Sequence, residues 1–292
     1  MGGTTLLHPV LVDLASSVPD TGWWFRHTPA SRDQGVLRRR PGYDKTMSAT
    51  ELWLVRHGES VGNVAASTAQ AVGAQVIEVG LRDADVPLTD TGRVQADALG
   101  RWLGSLDANT VPEAVWSSPY LRAVETAHIA MGAANLPLAV HIDERLRDRE
   151  LGVLDLLTTT GVAALQPSEA QRRQWLGKFY YRPPGGESWA DLALRVRSVL
   201  LDLERPEVPN RVLVVCHDAM ILIFRYVCEG MLEADLLAVV AAGSVTNASV
   251  TRLVRPAGQA AWTADAFNAD QHLAAQGVPV TEHPGDRDSF PR

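Results

Sequence analysis

Four stretches of this sequence end in groups that can hold an anion and act on it. Leu52-Trp53-Leu54-Val55 stops in Arg56-His57-Gly58-Glu59. Ala114-Val115-Trp116 stops in Ser117-Ser118-Pro119-Tyr120-Leu121-Arg122, a third stretch leads into Arg147-Asp148-Arg149-Glu150, and Arg211-Val212-Leu213-Val214-Val215-Cys216 stops in His217-Asp218. Arginine presents a planar fork of donors that fits a phosphate and stays charged. A helix N-terminus adds backbone N–H groups to the same task. A neutral imidazole can attack phosphorus, and the covalent intermediate splits one hard displacement into two easier ones. A second imidazole can donate to the transferring oxygens. A carboxylic acid can protonate the leaving alkoxide and then serve as base toward water. Two histidines, two arginines and a carboxylate therefore make a set for phosphoryl transfer by positioning and charge.

For these residues to meet, the elements that carry them must end at one edge. The spacing predicts such an arrangement. Apolar strand runs at 51–55, 114–118, 138–143 and 211–216 alternate with helical patterns beginning at Thr89, at Ser118-Pro119, at Glu187 and after His217. The pattern from Thr89 predicts a helix with Val94, Ala98, Leu99 and Trp102 on its inner face. Ser118 reads as a helix N-cap with Pro119 at the first helical position. Asn247–Arg255 and Ala260–Asn268 read as closing strands. Alternation of this kind specifies an α/β domain, a three-layer αβα sandwich around a largely parallel central sheet. In such sheets sites gather beyond the carboxyl ends of the strands.

On these residues the sequence resembles the histidine phosphatase superfamily, with its phosphoglycerate mutase-like fold. Leu54-Val55-Arg56-His57-Gly58-Glu59-Ser60 with Asn63, then Ser117-Ser118-Pro119-Tyr120-Leu121-Arg122-Ala123-Val124-Glu125-Thr126-Ala127, then Val214-Val215-Cys216-His217-Asp218 follow that family's motifs in order, and Pro87–Gly92 and Gly185–Ser188 match as well. The resemblance implies that His57 is the nucleophile, that Arg56, Arg122 and His217 hold the phosphoryl group, and that Asn63 contributes to phosphate binding. It implies Asp148 as proton donor, at a position where glutamate is commoner in the family, with Glu150 two residues on as the alternative. Ser60 is a candidate to meet the phosphate through its backbone N–H, and Gly58 is expected to let the backbone approach it. The expected reaction is metal-independent hydrolysis of a small-molecule phosphate ester. Family mutases carry tryptophan before the asparagine, where this chain has Gly62; mutase-type phosphoryl transfer and a non-catalytic phospho-ligand binder are the alternatives. The Lys178–Ser188 stretch resembles a broad-range acid phosphatase branch of the family.

Composition bounds the rest. With 46% hydrophobic residues among 292, a sizeable core is affordable. The formal net charge of -7 disfavours non-specific nucleic-acid or anionic-membrane binding, so neither partner is expected. Two cysteines make no disulfide framework, and a cytoplasmic setting is expected. No metal-ligand spacing is present in the sequence and no cofactor is expected. Residues 1–48, with four prolines and Arg38-Arg39-Arg40, read as a poorly ordered N-terminal extension. The domain is expected over 49–266 with a lid-like insertion at about 151–187. There Arg172, Arg173 and Lys178 alternate with aromatics and could clasp an ester. Residues 267–292 are expected as a loose polar tail.

Overall fold

The buried, apolar β1 (Glu51–Arg56) and β4 (Arg211–Cys216) lie side by side at the centre of the sheet, parallel and in register from Glu51↔Arg211 to Arg56↔Cys216. A computed structural model describes residues 49–256 and 261–283, so the expected N-terminal extension lies outside the described residues. β2 (Ala114–Ser117) pairs parallel with β4, and β3 (Val140–Ile142) parallel with β2. β5 (Val250–Val254) and β6 (Thr263–Ala269) add antiparallel on the other side, giving the order β3-β2-β4-β1-β5-β6. The four parallel strands thus deliver their carboxyl ends to one edge.

Both faces of the central strands are covered, which is why their sequences are continuous apolar runs rather than alternating ones. Leu52, Leu54, Val212 and Val214 pack with α6 (Trp189–Leu203) and α7 (Asp218–Glu229). Trp53, Val55, Leu213 and Val215 pack on the other face with α2 (Asp90–Gly104) and α3 (Leu121–Ala134). α1 (Val61–Ala71) follows the first strand exit. The segment 151–187 contains α4 (Thr159–Leu165) and α5 (Pro167–Tyr180) around a small cluster of Leu154, Val162 and Tyr181. It is tied to the chain after α1 by the Ile77 N–H on the Leu156 carbonyl at 2.8 Å and the Thr158 hydroxyl on the Ala74 carbonyl at 2.6 Å. α8 (Glu233–Ala242) follows α7.

Three expectations are corrected. On α2 Val94 is exposed, and Gln95 faces inward instead. Its amide is fully engaged: Oε1 accepts from the Glu59 N–H, while Nε2 donates to the Pro279 carbonyl and the Thr281 hydroxyl. A buried polar side chain with all its partners can take a core position that periodicity assigns to an apolar one. The helix expected from Ser118 begins at Leu121 with Tyr120 as its cap residue, because the Ser118 hydroxyl is engaged with His217 and the Tyr120 N–H. Residues 267–283, expected as a loose tail, complete β6, form α9 (Gln271–Ala274) and pack Leu273 and Val278 on Ala98 and Ala248. Those two apolar residues give the segment an anchor that its polar composition hides.

The first strand exit is pressed against the start of α2. A Cβ on Gly58 would lie 2.5 Å from the Gly92 carbonyl oxygen, and one on Gly92 would lie 2.0 Å from that of Glu59. Gly58 is therefore required by this backbone contact. Thr89 completes the joint, capping α2 through the Gly92 N–H and donating to the Glu59 carboxylate at 2.7 Å. Gly92→Ala should lower stability by about 1–3 kcal/mol through overpacking, read as a reduced urea midpoint; an unchanged midpoint would contradict the contact.

Candidate active site

His57 leaves β1 and keeps the sheet's hydrogen bonding for one more residue, its N–H donating to the Cys216 carbonyl at 3.0 Å. Its Nδ1 lies 2.7 Å from the Gly58 carbonyl oxygen, a bond only an N–H can make. The proton is therefore on Nδ1 and the lone pair on Nε2. His57 is 3% exposed, and burial, followed by the charges of Arg122, His217 and Arg56, holds its pKa well below the usual imidazole value. His57 is thus neutral at physiological pH, the form that can attack.

His217 follows β4 in the same way and caps α7, with its ring centroid 5.2 Å from that of His57. Its Nε2 lies 2.8 Å from the Ser118 hydroxyl, which already accepts from the Tyr120 N–H and has its own proton to give. Where the hydroxyl proton goes to Nε2, the His217 proton is on Nδ1. Nδ1 faces Asp148 Oδ2 at 3.4 Å without hydrogen-bond geometry and has no hydrogen-bond partner among the described residues. The Nε of buried Arg56 is likewise without a partner, while its Nη1 donates to the Val245 carbonyl. Buried donors left unpaired cost roughly 1–3 kcal/mol each. Two of them beside the nucleophile make a place where an anion is favoured. Burial lowers the Arg56 pKa, with Asp218 and Asp148 opposing it, and lowers that of His217, with Arg122 and Arg56 acting the same way.

Arg122 lies in the first turn of α3, 5% exposed, and reaches Asp148 Oδ2 at 3.3 Å. The structure thus brings Arg56, His57, Arg122, Asp148 and His217 together from four strand exits. The two candidate acids part company. Asp148 sits between Arg122 and His217, whereas the Glu150 carboxylate accepts from the Tyr120 hydroxyl at 2.9 Å. The loop that carries Asp148 is held by Arg195 of α6. Its Nη1 donates to the Arg145 and Arg147 carbonyls, and its Nη2 to the Asp148 carbonyl and to Glu187.

Ser60 lines the pocket, and its N–H donates to Asn63 Oδ1 at 3.1 Å while its hydroxyl accepts from the Asn63 N–H, a capping box for α1. Asn63 lines the pocket, and with Oδ1 also accepting from Asn247, its amide NH2 is the end suited to an anion. The pocket, about 330 Å³, runs from Arg56 and His57 to the inserted segment, where Leu154, Val162 and Tyr181 form apolar wall. Of the expected cationic clasp, Arg173 and Lys178 line it. Further along the same stretch, Arg182 pairs with Asp191 on the surface, and Phe179 is in the core. Three contributors escaped the sequence reading. Asp83 holds Arg122, Asn247 donates to the His57 carbonyl, and His283, its pKa lowered to about 4 by burial and Arg56, lines the pocket from the C-terminal segment. The carboxylates around Asp83 were the one available signal.

Among the described residues no group of three or more histidines, cysteines or carboxylates is placed to hold a metal, and no helix is long and apolar enough to cross a membrane.

A site of this build defines a class. Residues 52–270 match the histidine phosphatase superfamily (branch 1), and the chain belongs to that superfamily. It is 30% identical over 194 residues to a 6-phosphofructo-2-kinase/fructose-2,6-bisphosphatase of Gallus gallus, covering 65% of this chain and 36% of that protein. The chain therefore spans about a third of the length of that relative. It is 34% identical over 170 residues to 2,3-bisphosphoglycerate-dependent phosphoglycerate mutase 2 of Gloeobacter violaceus, covering 57% of this chain and 69% of that one. In structure it resembles a mycobacterial glucosyl-3-phosphoglycerate phosphatase complexed with VO3, with a TM-score of 0.58, 28% identity, and 76% and 100% of the two chains covered.

The buried, neutral histidines carry a pH consequence. Each is depressed in the folded protein, so the unfolded chain takes up protons first as pH falls below about 6.5. Stability present above that pH should therefore be lost on acidification toward the folded-state pKa values. In His217→Gln this part of the acid loss should shrink, measured as urea midpoints between pH 7.5 and 5; parallel curves for variant and wild type would contradict it.

Proposed function

We propose that the chain is a phosphomonoester hydrolase working through a phosphohistidine on His57. The observation that carries this reading is the Nδ1–Gly58 bond, which leaves a neutral Nε2 lone pair beside the unpaired donors of Arg56 and His217. The Nε2 lone pair attacks phosphorus while the bond to the ester oxygen breaks. The proton of the Asp148 carboxylic acid goes to that oxygen, and the alcohol leaves. Arg56, Arg122 and the His217 Nδ1–H hold the equatorial oxygens, where charge is greatest in the transition state. Asp148, now a carboxylate, takes a proton from water as the water oxygen attacks phosphorus. The P–N bond breaks, its electrons return to Nε2, and inorganic phosphate is released. The arginines supply the positive charge and the imidazole N–H a hydrogen bond, so the reaction does not call on a metal.

The position of Asp148 between Arg122 and His217 favours it over Glu150 as the acid. Mutase-type transfer shares the first half of this sequence. The separation of the two is whether water or a second alcohol accepts the phosphoryl group. Steady-state assays over sugar phosphates, phosphoglycerates, nucleotides and aryl phosphates test the reading by release of inorganic phosphate. Asp148→Asn should lower kcat about 10²–10⁴-fold on alkyl phosphates and less on aryl phosphates, whose leaving groups need no proton. Glu150→Gln should stay within a few-fold of wild type. Collapse of the second variant alone would reverse the assignment, and chelator-sensitive turnover would contradict the metal-free scheme.

A further inference from the structure

The guanidinium of Arg122 is already committed. Arginine has five N–H groups, four of them on the terminal nitrogens. Nη1 donates to the Asp83 backbone carbonyl at 2.6 Å and to Asp83 Oδ1 at 2.8 Å. Nη2 donates to Asp83 Oδ2 at 3.2 Å and to Asp148 Oδ2 at 3.3 Å. Asp83 thus takes three of the four, and its carboxylate takes two as a fork. That fork is the geometry with which a phosphoryl group would take the same guanidinium.

The two partners differ in freedom. The Arg122 side chain is 5% exposed and fixed beneath the pocket; the Asp83 side chain is 41% exposed and lies on the pocket wall. The backbone of Asp83 belongs to a short turn, Asp83–Asp85, anchored by buried Val86 and Leu88 and braced by the Arg82–Asp85 pair. Its backbone bond to Arg122 can therefore persist while the carboxylate swings toward solvent and frees two N–H groups. The charges facing Asp83 favour that exchange. Asp148 lies across Arg122, Asp155 of the inserted segment adds a further negative charge, and Tyr120 brings no compensating cation. A phosphoryl dianion arriving on Arg122 would stand against the Asp83 carboxylate, which is more exposed than the Asp148 side chain on the same guanidinium. Burial already raises the Asp83 carboxyl above its usual value, opposed by Arg122.

We propose that Asp83 is an internal competitor for the anion site: its carboxylate occupies Arg122 when no phosphoryl group is bound, yields to the phosphoryl group of the ester, and returns as inorganic phosphate leaves. This rests on the reading of Arg122 as a phosphoryl ligand. It makes Asp83 a device against product inhibition, at the expense of affinity for every anion that needs Arg122. A residue that merely positioned Arg122 would have the opposite sign, because its removal would loosen the guanidinium and weaken anion binding.

The test is binding of inorganic phosphate to the full chain, by calorimetry or phosphorus NMR, for wild type, Asp83→Asn, Asp83→Ala and Arg122→Ala. Asp83→Asn and Asp83→Ala should tighten phosphate at least about threefold, the scale of one partly exposed ion pair removed from competition. Arg122→Ala should weaken it. Unchanged or weaker phosphate binding in both Asp83 variants, with their thermal melts intact, overturns the proposal, as does undiminished binding in Arg122→Ala. The measurement needs no turnover. If wild type hydrolyses no ester, the proposed reaction falls while the competition at Arg122 is still decided.

Discussion

The register of β1 against β4 is the constraint on which the rest depends. Pairing Arg56 with Cys216 makes the two strands end together, so His57 and His217 emerge as neighbours with the His57 N–H still on the Cys216 carbonyl. A slip of one residue would turn every side chain to the opposite face of the sheet. Arg56 and His57 would then change places, and the nucleophile would point away from the pocket. The apolar faces hold the register, with Leu52 and Leu54 committed to one helical layer and Trp53 and Val55 to the other.

The site gathers positive groups into a buried place, and the fold compensates from several directions. Two imidazoles remain uncharged, with burial as the largest cause. Three carboxylates come from three separate elements: Asp83 from a loop turn, Asp148 from the loop after β3, and Asp218 from the first turn of α7. Burial raises the carboxyl of Asp218, opposed by Arg56. The N-termini of α3 and α7 open at the same edge, where the helix dipoles favour an anion. The result is a cavity whose donors are arranged before any substrate arrives, the condition for electrostatic catalysis.

What was legible in the sequence were the groups fixed to strand ends. A buried strand must be apolar, so the polar residues that end it stand out, and Arg56, His57, Arg122 and His217 were found that way. Asp148 was named ahead of Glu150 by its place in the motif, not by any difference in its surroundings. An extended segment places both on one face, whereas the loop held by Arg195 sends one to Arg122 and the other to Tyr120. Asp83 was also hidden, because it reaches a partner 39 positions later from a loop with no periodicity. For Ser60 and Gly58 the sequence hid a local backbone role. Each sits beside the nucleophile, but local backbone demands, a helix cap and a close approach to Gly92, decide its identity.

The central claim is that His57 Nε2 becomes covalently bonded to phosphorus. The direct measurement is rapid quenching at alkaline pH during turnover of a labelled phosphate ester, followed by mass spectrometry of the digested chain. The account predicts an acid-labile phosphoryl group on His57 that forms within one turnover and is absent in His57→Ala. Turnover with no label on His57, or label that persists in His57→Ala, would contradict it.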